Sequence, residues 1–222
     1  MEDQIRELFK GVYKLGKSIY TKNLVPGVRV YDEQMVKLSG MELRSWNPYR
    51  SKLSAAIMNG LKSFAIKNGS KVLYIGAATG TTVSHVSDIV EDNGIVYAIE
   101  YSERNAIKLL KLAESRRNII PIVADARYPE SYLDKIQEHV DILYQDVSSR
   151  DQLSILKKNS IFLKPNGIAY FIIKSQNITS RAKPEEIYKS ILMQLDDVYT
   201  IKERIDLEPY DSKHLFTVLQ KR

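Results

Sequence analysis

Apolar residues recur at two different spacings along the chain, and the change between them falls near residue 50. Up to Leu43 they come in short alternating pieces, GVYKL, SIYTK and VRVYDEQMVKL, parted by turn signals such as Pro26-Gly27, a pattern that predicts a small antiparallel sheet. From Tyr49 onward helix-period stretches alternate with short apolar runs: VLYI (72–75), IVYAI (95–99), NIIPIV (118–123), VDILYQD (140–146), GIAYFIIK (167–174), then the pair VYTIKERI (198–205) and HLFTVLQ (214–220). This alternation predicts βαβ units and hence an α/β fold with a seven-stranded, mainly parallel sheet and helices on both faces. The chain divides on this reading into an N-terminal β-rich subdomain, 1–48, and an α/β domain, 49–222. Pro121 interrupts the third run, where it cannot donate to a ladder, so that strand belongs at an edge or pairs on one side only. A helix starting at Lys52 would carry Leu53, Ala56, Ile57, Leu61 and Phe64 on its apolar face.

Composition narrows the chemistry. With 222 residues, 44% of them hydrophobic, the chain can bury a full core. No run reaches the roughly 18 consecutive apolar residues of a membrane span, and the opening MEDQIRELFK is charged where a signal peptide would be apolar. A soluble, cytoplasmic protein with no membrane partner is expected. The absence of cysteine removes disulfides, thiolate nucleophiles and Cys-type zinc sites, and the three histidines lack metal-ligand spacing, so no metal is expected. A net charge of +6 suits a polyanionic partner and suits plain solubility equally.

The stretch VLYIGAATGTTVSHV (72–86) reads as strand, small-residue turn and helix, with Thr81 or Thr82 placed to cap the helix. Such a turn brings backbone N–H groups close to a ligand, though glycines needed only for a tight turn would look the same. A triphosphate loop would require Lys after Gly80, and a dinucleotide fingerprint would require glycine where Ala78 and Thr81 stand. Of the adenosine ligands this leaves S-adenosylmethionine, which needs no pyrophosphate cradle. Glu100 closes the second strand 24 residues after Gly76, the position from which a carboxylate bonds ribose hydroxyls. Asp125 and Asp146 close the third and fourth strands, so three acids project to one sheet edge.

The segments TKNLVPG (21–27), WNPYRSKL (46–53), VLYIGAATGTTVSHVSDIV (72–90), NIIPIVADAR (118–127) and LEPYDSKH (207–214) resemble the fibrillarin family in its short archaeal form, without the Gly/Arg-rich extension of eukaryotic members. The resemblance implies a Rossmann-like S-adenosylmethionine methyltransferase fold and methylation of ribose 2′-hydroxyls in rRNA and tRNA, within a C/D box ribonucleoprotein. Its implied partners are a guide RNA, the target RNA, a Nop-domain scaffold protein and a kink-turn-binding ribosomal-type protein. It implies a cofactor site at the turn Gly76, Ala78, Thr81 and Thr82, with Thr81 and Thr82 contacting the methionine moiety. Glu100 would bind the ribose, Tyr101 the adenine, and Asp125 and Ala126 the adenine edge. Asp146, Val147, Ser148 and Ser149 match a loop that in relatives usually reads Asp-Val-Ala-Gln. A catalytic set of Lys52, Asp146, Lys174 and His214 follows from the same match.

A 2′-hydroxyl is a weak nucleophile, whereas a sulfonium is already an excellent leaving group, so an enzyme of this kind positions the hydroxyl and manages its proton. Lys174, directly after the fifth strand, is the first choice to meet that hydroxyl. Asp146 would orient it, and Lys52 would reach over the site from its helix. Among the outlying basic residues Arg44, Arg50, Arg127, Arg150, Lys164, Arg181 and Lys183, most read as solvated surface charges. Arg127, Arg150, Arg181 and Lys183 follow strand ends at the ligand edge and are expected to touch RNA phosphates. The 14 tyrosines are spread along the chain, with no stacking platform evident. Three alternatives stay open at this stage: a nicotinamide-dependent oxidoreductase, disfavoured by the missing glycines; protein glutamine methylation; and a non-catalytic assembly subunit with a vestigial pocket.

Overall fold

The computed structural model describes residues 5–38, 40–178 and 182–222. Strands β1 (Arg6–Phe9), β2 (Val12–Leu15), β3 (Ser18–Lys22), β4 (Met35–Leu38) and β5 (Met41–Ser45) form an antiparallel sheet in the order β1-β2-β3-β5-β4. Helix α1 (Lys52–Met58) leads into β6 (Lys71–Ile75), α2 (Thr81–Val90), β7 (Ile95–Glu100), α3 (Glu103–Ser115), β8 (Ile119–Val123) and β9 (Val140–Gln145). The chain continues through α4 (Gln152–Asn159), β10 (Leu163–Lys174), the short α5 (Ser175–Ile178), α6 (Pro184–Met193), β11 (Tyr199–Asp206) and β12 (His214–Lys221). The larger sheet has the order β11-β12-β10-β9-β6-β7-β8, and β12 alone runs against its neighbours. The seven expected strands are thus present, and β8, carrying Pro121, pairs only with β7 at the edge.

Strand order reverses between β6 and β9, which makes their carboxyl ends the switch point where open α/β sheets bind ligands. Two apolar layers sandwich the sheet. One contains Val72, Tyr74, Val83, Val86 and Tyr170 and runs on into Val12, Ile19 and Trp46 of the smaller sheet, so the two sheets share one core. The other packs Leu73, Ile75, Tyr97, Leu143 and Phe171 under α4 and α6. No helix among the described residues is long and apolar enough to cross a membrane.

Three expectations are corrected. The piece VRVYDE is not strand: the Glu33 carboxylate accepts from the backbone N–H of Val30 at 2.8 Å and of Tyr31 at 2.7 Å, a local capture that competes with a ladder. Helix α1 stops at Met58, so Leu61 and Phe64 lie beyond it, although both still pack on the core. Gly80, in the left-handed region at φ 90°, occupies the N-cap of α2, which puts Thr81 and Thr82 inside the helix rather than before it.

Arg44 is the largest departure, since it is fully buried rather than solvated. Its guanidinium pairs with Glu33 at 2.8 Å and with Asp88 of α2 at 2.7 Å, and Arg116 pairs with the other oxygen of Asp88 at 2.6 Å. Thr21 donates to Asp88 at 2.7 Å and the Leu24 N–H does so at 2.9 Å, so one carboxylate ties the small sheet, α2 and the end of α3 together. His85 lies beside this cluster, stacked on Trp46 with ring centroids 4.9 Å apart. Burial, with Arg44 and Arg116 nearby, holds its pKa well below the ordinary value and keeps the ring neutral. Its Nε2 lies 2.5 Å from the Tyr31 hydroxyl and its Nδ1 2.7 Å from the Thr21 hydroxyl, which donates to Asp88.

Removing one member of a buried ion cluster leaves the others charged and dry. Asp88→Ala is expected to cost about 3–5 kcal/mol of unfolding free energy in a denaturant titration. A change within experimental error would show that the cluster does not hold the sheets together.

Candidate active site

The carboxyl ends of β6 and β9 approach so closely that their backbones touch. The Asp146 N–H donates to the Ile75 carbonyl at 3.0 Å, and a Cβ placed on Gly76 would fall 2.5 Å from the Asp146 carbonyl oxygen. Gly76 also sits at φ 85°, so both space and conformation require glycine. Its N–H and that of Ala77 are held by the Ile99 carbonyl, each at 3.0 Å. The Glu100 carboxylate then accepts from the Ala78 N–H at 2.7 Å and from the Ser102 N–H at 2.8 Å, pinning the turn to the end of β7.

Beside this turn lies a cavity of about 550 Å³. Its wall includes Gly76, Ala78, Glu100, Tyr101, Asp125, Ala126, Asp146, Val147, Ser148 and Ser149, together with Lys52 and Lys174. Those twelve expected residues, scattered over more than a hundred positions, are brought together. Thr81 and Thr82 are not in the wall; the Thr82 hydroxyl donates instead to Ser51 Oγ at 3.0 Å, bracing the start of α1. Asn105, Ile99 and Ala124 also line the cavity and were not anticipated. Asn105 is one turn into the helix after Glu100, a spacing that could have flagged it.

The charged groups form a chain. Lys174 Nζ stands 2.7 Å from Asp146 Oδ1, and Lys52 Nζ stands 3.1 Å from Oδ2. Lys52 also reaches Asp211 Oδ2 at 3.4 Å, and Asp211 Oδ1 meets His214 Nδ1 at 2.5 Å. The order is therefore Lys174, Asp146, Lys52, Asp211, His214. Register explains part of it: Lys174 at the end of β10 lies directly opposite His214 at the start of β12. His214 does not line the cavity and joins the chain only through Asp211. Asp211 is the member that sequence reading overlooked, although its place three residues before His214 was a usable signal.

Burial alone would raise the pKa of Asp146, but the ammonium groups of Lys52 and Lys174 outweigh it and hold the carboxyl below its ordinary value. Burial would likewise lower Lys52, yet Asp146 and Asp211 prevail and raise it, so Lys52 stays charged at neutral pH. Asp211, which burial pushes up, is drawn down by His214 and Lys52. At the other end of the cavity wall, the exposed Arg127 guanidinium grips Asp125 at 2.6 Å and lowers its pKa. Arg150 and Lys183 are exposed and do not line this cavity, and Arg181 lies outside the described residues.

The fibrillarin family model matches residues 3–222. The chain is 46% identical over 219 residues to the fibrillarin-like rRNA/tRNA 2′-O-methyltransferase of Thermococcus gammatolerans, covering 96% of each chain. A structure of Aeropyrum pernix fibrillarin with natively bound S-adenosyl-L-methionine is similar at 39% identity and a TM-score of 0.87, covering 98% of this chain and 99% of that one. A fibrillarin/Nop5p complex contains a chain 40% identical with a TM-score of 0.89, covering 98% of this chain and 100% of that one.

The sign of the pH dependence follows from Asp146. Its folded pKa lies below the ordinary 3.8, so the stability it contributes is complete above about pH 5, declines below that, and is lost as pH falls through the lower folded value. Acid titration of the unfolding free energy is expected to be shallower in Asp146→Asn than in the parent below pH 4. Superimposable acid limbs would contradict the ion chain.

Proposed function

The chain belongs to the fibrillarin family, and from that premise we infer that it is an S-adenosylmethionine-dependent RNA 2′-O-methyltransferase, the catalytic subunit of a C/D box ribonucleoprotein acting on rRNA and tRNA. The observation that carries the reading is one carboxylate, Asp146, shared between two ammonium groups in the wall of a cavity that Glu100 and Asp125 also line.

The residues present fit the cofactor. A glycine turn with no room for a Cβ leaves backbone open to it, and two strand-end carboxylates supply acceptors for an adenosine. We assign Glu100 to the ribose, Tyr101 to the adenine face, Asp125 and Ala126 to the adenine edge, and Gly76 and Ala78 with the loop Asp146 to Ser149 to the methionine end. When bound, S-adenosylmethionine supplies an electrophilic methyl group whose departure from sulfur needs no acid.

The chain's own work is on the acceptor. Lys174 Nζ, held by Asp146 and by Ser148 Oγ at 3.1 Å, is assigned to the 2′-oxygen, orienting it and stabilising the negative charge that grows there as the hydroxyl proton leaves to water and the oxygen lone pair takes the methyl group. Asp146 holds both ammonium groups in place and offsets their charge. Lys52 acts as a fixed cation over the acceptor, and Asp211 with His214 anchors it from behind. We read residues 1–48 as the subdomain that braces α1, and 49–222 as the catalytic domain.

The fibrillarin/Nop5p complex supports a Nop-domain scaffold as partner. We further propose that a C/D box guide RNA supplies sequence recognition, that a kink-turn-binding ribosomal-type protein anchors it, and that the particle works in the cytoplasm. Assembly would deliver the paired target at high effective concentration.

Transfer of labelled methyl groups to a guide-matched RNA tests this reading. The assembled particle is expected to methylate one ribose, and the chain alone to methylate free RNA poorly; efficient selective transfer by the chain alone would refute the assembly requirement. Lys174→Ala is expected to lower the single-turnover rate about a hundredfold or more with cofactor affinity kept, and a full rate would remove Lys174 from the mechanism. Glu100→Ala is expected to weaken S-adenosylmethionine by about 1–3 kcal/mol in calorimetry, and unchanged affinity would remove Glu100 from the ribose.

A further inference from the structure

A second cavity, of about 600 Å³, opens between the small sheet, the segment 46–50 that leads into α1, and Tyr210. Its wall includes Lys17, Tyr31, Tyr49, Arg50 and Tyr210. Three of the 14 tyrosines, far apart in sequence, are gathered here. Tyr49 and Tyr210 meet edge to face with centroids 5.1 Å apart, and the Arg50 guanidinium lies 4.8 Å above the Tyr31 ring. Tyr49 is 69% exposed, too open for a ring that only fills a core.

This cavity is joined to the catalytic chain at two points. Tyr49 and Arg50 lie three and two residues before Lys52, and Tyr210 directly precedes Asp211, which Lys52 touches. Two carboxylates line it as well. Glu33 is committed to Arg44 and to two backbone N–H groups. Asp32 has a side chain 99% exposed and holds Arg50 only at 3.4 Å, a contact that an incoming phosphate can replace.

We propose that this cavity holds the target RNA strand beyond the methylated nucleotide, with Arg50 on a backbone phosphate and the Tyr49–Tyr210 pair against the neighbouring nucleoside. The proposal rests on the RNA methyltransferase reading and adds a site to it. Arginine suits a phosphate because its fork can donate twice, and an exposed aromatic ring accepts any nucleoside face, which suits an enzyme whose targets vary in sequence. Lys52, charged between its two carboxylates, stands where the strand passes from this cradle to the acceptor ribose.

The test uses the assembled particle with guide RNA and measures the target concentration giving half-maximal single-turnover methylation. Tyr49→Ala and Arg50→Ala are each expected to raise it about tenfold, with S-adenosylmethionine affinity unchanged and thermal melting confirming the fold. Tyr49→Phe should keep the parental value, because the ring makes the contact. Arg50→Ala should also lower the slope of log affinity against log salt by about one, which loss of a merely structural contact would not do. Parental target affinity and salt slope in both alanine variants would overturn the cradle. Absence of methylation by the parent particle would instead overturn the reading beneath it.

Discussion

One mostly buried carboxylate carrying two ammonium groups organises the end of the sheet where the candidate site lies. Asp146 sits where β9 leaves the sheet, and its two oxygens face Lys174 from β10 and Lys52 from α1. Neither lysine could be kept so deep without a partner, since a dry unpaired ammonium costs several kcal/mol. Counted with Asp211, the two ammonium groups face two carboxylates, so the paired set is close to neutral and each lysine keeps N–H donors directed at an anion. Asp211 is the second carboxylate on Lys52 and passes the link to His214, so four elements far apart in sequence are drawn to one point.

A second shared carboxylate, Asp88, does the corresponding structural work. It binds Arg44 and Arg116 at full burial and fastens the small sheet to α2. The consequence reaches the site through a short path. Trp46, stacked on the neutral His85, accepts at its carbonyl from Ser54 Oγ at 2.6 Å, and Ser51 caps α1 while accepting from the Thr82 hydroxyl of α2. The start of α1, and with it Lys52, is thereby fixed against both sheets. The small sheet is therefore part of the catalytic scaffold as well as a wall of the second cavity.

On the proposed function, cofactor and acceptor would meet different kinds of surface. The wall assigned to the cofactor is built from strand ends, a glycine turn and backbone hydrogen bonds, all set by the sheet. The wall assigned to the acceptor is built from long cationic side chains and exposed rings, which would adapt to a backbone of uniform shape and variable sequence. Such a division would suit the proposed delivery of the target by a paired guide.

The sequence by itself determined the elements and the edge. Period-two and period-3.6 patterns are local, so the seven strands were legible, as was the edge position of the Pro121 strand; acids closing successive strands must point to the same side of a parallel sheet, so Glu100, Asp125 and Asp146 were legible as one site. The family motifs added Lys52, Lys174 and His214. What the tertiary structure decided was pairing. Arg44 reads as a surface charge until Glu33 and Asp88 are seen around it, Asp211 is one more loop acid until it stands between Lys52 and His214, and Tyr31, Tyr49 and Tyr210 are three isolated rings until the chain folds them onto one cavity. The physical reason is that periodicity reports which way a side chain faces along its own element, whereas an ion pair or an aromatic contact depends on the distance between elements, which only packing sets.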